Sequence, residues 1–378
     1  AAAEVSFHEP YSIISERFKT LAADLGVPGA ADAAVRELHE GLTRGETADW
    51  VASRGEHISA RVIAAAMGAT FVETGELLGI DAHGRPTAES YPRLAEALSG
   101  DGLYVVPGYY GRGPSGRVKV FSRGGSDITG SVMAKAVGAV LYENWTDVSG
   151  FMMADPRIVP NARAMSEVTY SELRELAYMG ASVLHDEAIF PVREADIPIH
   201  IKNTNAPDEP GTLILPTRDL LSTPVVGVAG RRDFTVIHIS KAMMNKELGV
   251  GRRVLGVLET QGINFEHMPS GIDTMSVVVA TEELADKLDD VIEELRRIIQ
   301  PDDVQVYDDL ALITTVGLGM AHQVGIASRC FGALSGAGIN VRMISQGVAE
   351  LNIIVGVQRD DFEPAVRALY EAFVVDAV

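Results

Sequence analysis

A single cysteine, Cys330, stands in 378 residues. That excludes an intramolecular disulfide, a thiolate zinc cluster and an iron–sulfur site, and it suits a reducing compartment. Basic residues are also scarce: 32 Lys and Arg face 52 Asp and Glu, a formal charge of −20. A surface of that sign repels polyanions, so a general nucleic-acid or anionic-membrane binder is not expected, although a small basic pocket could still hold a nucleotide. No apolar run is long enough to cross a bilayer, and the opening AAAEVSFHEPYS lacks the basic-then-apolar pattern of a secretion signal. The expected location is the cytosol. HExxH, GxxxxGK[ST] and a GxGxxG opening a βαβ unit are missing as well, which removes the main support for metalloprotease and P-loop readings.

What is present is the composition of a soluble globular protein, 47% apolar and 22% charged. The length suits two or three domains of about 70 to 220 residues. Apolar spacing predicts helices over 11–24 and 47–67 with a third between them. Strand-like runs follow at 70–73, 103–108, 118–122, 140–144 and 197–203, alternating with helical stretches at 88–98, 127–138, 169–180 and 183–194. This alternation predicts an α/β domain with a largely parallel sheet, running to about 215. The Pro- and Thr-rich DEPGTLILPTRDLLSTP (208–224) marks the boundary, with a linker at 216–223.

Beyond the linker the chain repeats itself. At an offset of 76, GVGRRVLGVLETQGIN (249–264) lies on GIASRCFGALSGAGIN (325–340) with seven of sixteen positions identical. Each copy, 224–304 and 305–378, reads as a βαββαβ-like unit, with last helices expected over 281–299 and 360–373. The shared GIN, Gly262 to Asn264 and Gly338 to Asn340, is what a helix C-cap requires, since Gly and Asn tolerate left-handed backbone. Two such units can pair side by side and hold a ligand at their interface, or serve only as packing modules.

Three clusters could carry chemistry. SRGGSDITG offers Arg123, a flexible glycine turn and Asp127 as a cap for the next helix, an arrangement fit for an anion and equally for an ordinary helix start. NWTDVSGFMMADPR follows a strand and ends in the tight turn Asp155-Pro156-Arg157, where open α/β sheets bind ligands. Glu56, in ASRGEHIS, could hold an ammonium or guanidinium group, or simply face solvent. His185 has no partner spacing of a catalytic kind and is expected to pack.

In order, GE.IS at 55–59, FSRGGSDITG, ENWTDVSGFMMADPR, ELRELAYMGASVLHDEAI and IPIHIKNTN…PGT, followed by the tandem GIN repeats, resemble the aspartate kinases over nearly the whole chain. The resemblance implies an amino-acid-kinase α/β domain followed by two ACT domains. It also implies phosphorylation of the side-chain carboxylate of L-aspartate by ATP with Mg²⁺, the first step towards lysine, threonine and methionine. By carry-over, Glu56, Arg123 and Asp127 bind the amino acid. Thr146, Asp147, Met152, Arg157 and Lys202 surround the nucleotide, with Met152 standing where the family often has an aromatic residue. The implied effector is L-lysine, with threonine as the alternative, bound at Met244, Gly249, Val250, Gly319, Met320, Gly325, Asn340 and Gln346, in a homodimer paired through the ACT domains. The family opens on a Lys-Phe-Gly-Gly strand and turn that this sequence, which begins with Ala1, does not show. It is therefore expected to be either a longer kinase lacking its first residues here or a catalytically silent amino-acid sensor.

Overall fold

The computed structural model describes residues 7–122, 124–181, 189–220 and 223–375, and within them the chain forms two compact units. The first comprises residues up to Asp147 together with Leu184–Glu209 and Leu213–Pro216, and the second Val148–Val183, Pro210–Thr212 and Thr217–Val378. Arg123, His185 and the first half of the helix expected over 183–194 lie outside the described residues.

The first unit opens with helices α1 (His8–Asp24), α2 (Asp32–Arg44) and α3 (Ala48–Met67). Their small apolar faces meet in a core of Ala22, Ala31, Ala34, Val35, Leu38, Ile58 and Val62. Thr47 caps α3 by accepting the Trp50 N–H at 3.3 Å, and Gly68 ends it in left-handed backbone, so this helix begins and stops where the sequence places its signals. Strand β1 (Thr70–Phe71) precedes the short helix α4 (Thr74–Leu77), then α5 (Ser90–Ala97), β2 (Tyr104–Val105), β3 (Tyr110–Arg112), β4 (Val118–Val120), α6 (Gly125–Val137) and β5 (Tyr142–Thr146). The order resumes, after β6 (Glu167–Thr169) and α7 (Tyr170–Tyr178) of the second unit, with α8 (Phe190–Glu194), β7 (Ile199–Asn203) and β8 (Thr212–Leu215).

Strand β1 pairs parallel with β2, and β5 pairs parallel with β7, as the alternation predicts. β3 and β4 form an antiparallel hairpin, so the described strands are shorter and more divided than one continuous parallel sheet. A second core, Leu78, Ile80, Leu94, Phe121, Ile128 and Val132, packs α5 and α6 around this hairpin.

The C-terminal part of the second unit turns the sequence duplication into geometry. Strands β9 (Gly227–Ser240) and β11 (Asp303–Val316) are offset by 76 at both ends, and so are helices α9 (Val250–Thr260) and α12 (Ile326–Gly336). β9 and β11 pair antiparallel, with Gly227 opposite Val316 and Ser240 opposite Asp303. Each of those pairs becomes the other under the 76-residue shift, so a local two-fold axis passes through the middle of the ladder, where the register slips at Leu310. β10 (Thr274–Ala280), β12 (Met343–Ser345) and β13 (Asn352–Gln358) complete one five-stranded sheet, ordered β10-β9-β11-β13-β12.

Here the structure corrects three expectations. The helix expected over 281–299 is broken into α10 (Thr281–Leu284) and α11 (Leu288–Ile299) at Ala285, which has a positive φ. In GIN the glycines take φ +63° and +73° while Asn264 and Asn340 do not: the helices need one left-handed residue, and the one lacking a Cβ supplies it. The strand expected just after the first GIN is reduced to isolated bridges at His267 and Ser270, whereas the second copy keeps β12. The last helix, α13 (Phe362–Tyr370), runs on into a short π turn. No described helix is long and apolar enough to cross a membrane.

Candidate functional site

The helix that carries Glu56 is anchored by a buried polar network that sequence reading missed. One turn of α3 sends Arg54 and His57 inward and leaves Glu56 exposed, and a turn later the exposed Arg61 reaches back to the same histidine. Nδ1 of His57 lies 2.7 Å from Glu73 Oε2, and the Tyr110 hydroxyl donates to Glu73 Oε1 at 2.7 Å. Arg61 Nε donates to His57 Nε2 at 2.9 Å. A guanidinium can only donate, so Nε2 must accept and the ring proton sits on Nδ1, facing Glu73. Burial opposes the charge on Glu73, but hydrogen bonds from His57, Tyr110 and the Gly75 N–H outweigh it, and the carboxyl falls to about 2. Burial, then the neighbouring Glu73 charge, pushes the Tyr110 phenol upward. The one sequence signal for this network was His57, two positions before Ser59 in the GE.IS motif; Glu73 and Tyr110 come from distant segments.

Tyr109, just before β3, donates its N–H to Thr129 Oγ1, which donates in turn to the Gly125 carbonyl in the first turn of α6. β3 thus ties the α3 network to the glycine turn of SRGGSD. Gly124 holds the N-cap position in left-handed backbone, with no side chain capping the helix. A Cβ on Gly125 would come within 3.0 Å of the Tyr109 Cα. Asp127 is therefore not the cap. It lies inside the first turn, half-buried, and accepts from Asn144 Nδ2 at 2.9 Å. Asn144 also donates to the Tyr142 hydroxyl at 3.1 Å; burial first, and then Asp127, push that phenol up to about 12.

β5 delivers Asn144, Thr146 and then Asp147 to one end of the parallel pair. The Thr146 carbonyl accepts the Thr204 N–H and hydroxyl at 2.8 and 2.9 Å, closing the loop after β7 onto the loop after β5. Asp147 is exposed, with Thr146 Oγ1 3.3 Å from its Oδ1. Lys202 on β7 sets its ammonium 4.9 Å from the centre of the Trp145 ring. The structure therefore brings Asp127, Thr146, Asp147 and Lys202 around the carboxyl ends of β5 and β7, where an open α/β sheet binds ligands.

Met152 and Arg157 belong to the second unit. Phe151–Met153 and Arg163–Met165 form a narrow hairpin, bridged at Met152 and Ala164. Buried Thr212 closes it by accepting the Phe151 N–H and donating to the Met165 carbonyl. Gly150, at φ +105°, lets it pass: a Cβ there would sit 2.3 Å from Thr212 Oγ1. At the hairpin tip Asp155 grips Arg157 with both oxygens, at 2.7 to 3.1 Å, and this pairing holds the Asp155 carboxyl below its usual range. The Arg157 side chain remains 87% exposed, so its remaining N–H groups are open to a ligand.

In the duplicated sheet, Met320, Gly325 and Gln346 line a cavity of about 560 Å³ that also includes Gln323, Glu350 and Ile353. Gly319 does not line it: it is pressed against the Leu220 carbonyl and Pro224. Asn340 lies outside it and exposed. In the first copy Met244 and Val250 are buried core, and Gly249 provides the left-handed start of α9. Glu247, the counterpart of Gln323, is bound by both Lys241 and Arg253.

Residues 14–203 match the model of the amino acid kinase family, and residues 313–373 that of the ACT domain. The chain belongs to the aspartokinases of the amino acid kinase family. It is 44% identical to aspartokinase 3 of Bacillus subtilis over 286 residues, which is 75% of this chain and 63% of that protein. With aspartokinase 1, chloroplastic, of Arabidopsis thaliana it shares 31% identity over 97% of this chain and 69% of the relative. Its structure matches the crystal structure of the aspartate kinase of Clostridium acetobutylicum at a TM-score of 0.90 and 45% identity, covering 98% of this chain and 86% of the other. It also matches aspartokinase III of E. coli in complex with aspartate and ADP, at a TM-score of 0.64 and 25% identity over 90% and 80% of the two chains.

Proposed function

We propose that the protein transfers the γ-phosphoryl group of ATP to the side-chain carboxylate of L-aspartate, giving ADP and an acyl phosphate. The observation that carries this reading is the gathering of Asp127, Thr146, Asp147 and Lys202 at the carboxyl ends of β5 and β7, in a chain similar over 98% of its length to an aspartate kinase. A carboxylate is already a nucleophile, so it needs no general base. The transferring group needs N–H donors and cations, and a site sheltered from water to protect the labile product.

In this reading residues 1–215 are the catalytic domain, 216–223 a linker, and 224–304 and 305–378 two ACT domains. The uncapped first turn of α6 and Arg123 take the substrate α-carboxylate, Glu56 its ammonium, and Asp127 keeps Asn144 and the turn in place. Thr146 and Asp147 bind the nucleoside side and Arg157 and Lys202 the phosphates, with Met152 beside the adenosine. Among the described residues no group of three or more His, Cys, Asp or Glu could hold a metal. Mg²⁺ brought in with the nucleotide would need few protein ligands and would supply positive charge to the transferring group. Assay of L-aspartate-dependent ADP release by the full-length protein tests the proposal. Absence of release, with ADP still bound, would favour the silent sensor.

L-lysine is the proposed effector, in the cavity of the second copy. Gln323 and Gln346 suit the zwitterionic end, and the Glu350 carboxylate suits a cationic side chain better than the hydroxyl of threonine. For a homodimer the support is a symmetric pair of apolar tips. Leu248 and Ile272 in the first copy and their counterparts Val324 and Val348 in the second are 71 to 103% exposed. Such tips call for a second copy to cover them. A cytoplasmic location belongs to this reading as well.

A further inference from the structure

The tip of the Phe151–Met165 hairpin is held from the far end of the chain. The Val228 N–H of β9 donates to the Met153 carbonyl at 2.7 Å. On α13, Arg367 Nε donates to the Ile158 carbonyl at 3.0 Å, and the Tyr370 hydroxyl accepts the Arg163 N–H at 2.9 Å. These two contacts fall immediately after the Asp155-Pro156-Arg157 turn and at the start of the return strand, so they fix the backbone on the exit side of the tip. Arg367 is itself oriented: its Nη2 donates to Glu363 Oε2 at 2.8 Å, and the other oxygen of Glu363 accepts from Arg232 at 2.7 Å.

The turn also closes on itself, since the Ile158 and Val159 N–H groups donate to the Asp155 carbonyl at 2.9 and 2.8 Å, and Ala154 and Ile158 beside it are buried. Among the described residues, a cavity of about 770 Å³ is bounded by Asp155 to Ile158 on one wall and by β9 and the first turn of α13 on another. The turn thus keeps its own shape, and the hydrogen bonds from α13 tie it to the second copy.

We infer that Arg367 and Tyr370 are positioning residues for Arg157, so that the last helix of the second copy sets the affinity of the catalytic site for nucleotide. This rests on the reading of Arg157 as a phosphate contact. Neither residue touches substrate. They hold the Ile158 carbonyl and the Arg163 N–H, and Asp155 then aims the guanidinium from a fixed backbone.

The test is calorimetric titration of Mg-ADP into the full-length protein and into its Arg157→Ala, Tyr370→Phe, Arg367→Met and Arg367→Lys variants, with aspartate KM and thermal melting recorded for each. Arg157→Ala should weaken Mg-ADP about tenfold or more. Tyr370→Phe and Arg367→Met should each weaken it about three- to tenfold with aspartate KM within about twofold of the parent, the loss of one positioning hydrogen bond. Arg367→Lys should restore part of the affinity. Unchanged Mg-ADP affinity in Tyr370→Phe and Arg367→Met, alongside the loss in Arg157→Ala, would overturn the inference. Equal losses for ADP and aspartate with a lowered melting temperature would also overturn it, by showing a purely structural role. If Arg157→Ala itself binds Mg-ADP normally, the assignment of the nucleotide site fails first and this inference with it.

Discussion

Glu73 is a partly buried carboxylate held far below its ordinary range. Its carboxyl sits at about 2, against an ordinary value of 4.5, because three donors converge on it. A carboxylate with a depressed folded value stabilises the protein above its unfolded value and loses that contribution as pH falls through the folded one. The window is therefore pH 4.5 down to 2. With partial exposure taken into account, the contribution is about 2 kcal/mol. Urea unfolding from pH 6 to pH 3 should show the larger part of this loss, and Glu73→Gln should be less stable at pH 6 but flatter through the window. A variant with the parent's slope would mean that the carboxyl titrates normally. At the same scale, Asp147→Ala should raise the KM for ATP about tenfold or more and leave that for aspartate within about twofold. An equal change in both would misplace Asp147.

Among the elements, the hairpin closed by Thr212 offers the sharpest test of local structure. Thr212→Val keeps the volume but leaves the Phe151 N–H and the Met165 carbonyl without this partner. Each orphaned buried group costs about 1–3 kcal/mol, so the variant should lose at least 2 kcal/mol in denaturant unfolding. Gly150→Ala should cost about as much, since the added Cβ meets Thr212 Oγ1 in a backbone conformation that L residues rarely adopt. A change under 0.5 kcal/mol, a small one for any substitution, would show that Thr212 can move aside. The elements themselves were largely legible. α3 spans Ala48–Met67 because Thr47 and Gly68 flank an apolar-periodic run, and α7 starts at Tyr170 because Thr169 and Glu172 form a capping box. The break at Ala285 was not legible, since TEELADKLDD reads as one amphipathic helix and its division is visible only in the folded backbone.

For the whole molecule, the proposed dimer and the proposed effector both rest on the duplicated sheet. Equilibrium sedimentation should give twice the mass of one chain, and Val324→Asp with Val348→Asp should shift it towards one. A parent mass of a single chain would remove the dimer. L-lysine should release heat on titration into the full-length protein, and Glu350→Gln should weaken it about tenfold, the value of one charge-assisted hydrogen bond. Heat with threonine and none with lysine would reassign the effector.

The sequence alone determined whatever depends on near neighbours: the helix starts and stops, the glycine turn before α6, the strand-to-turn segment ending in Arg157, and the duplication, which survives folding as an offset of 76 in both β9/β11 and α9/α12. Only the tertiary structure decided what depends on residues far apart in the chain. It chose Asn144, not a helix terminus, as the partner of Asp127, and it joined His57 to Glu73 and Tyr110. It also placed Arg367 and Tyr370 against a hairpin some two hundred residues upstream. Local patterns carry backbone propensity and periodicity. They carry no record of which distant polar group will be buried beside which, because that pairing is set by how whole elements pack.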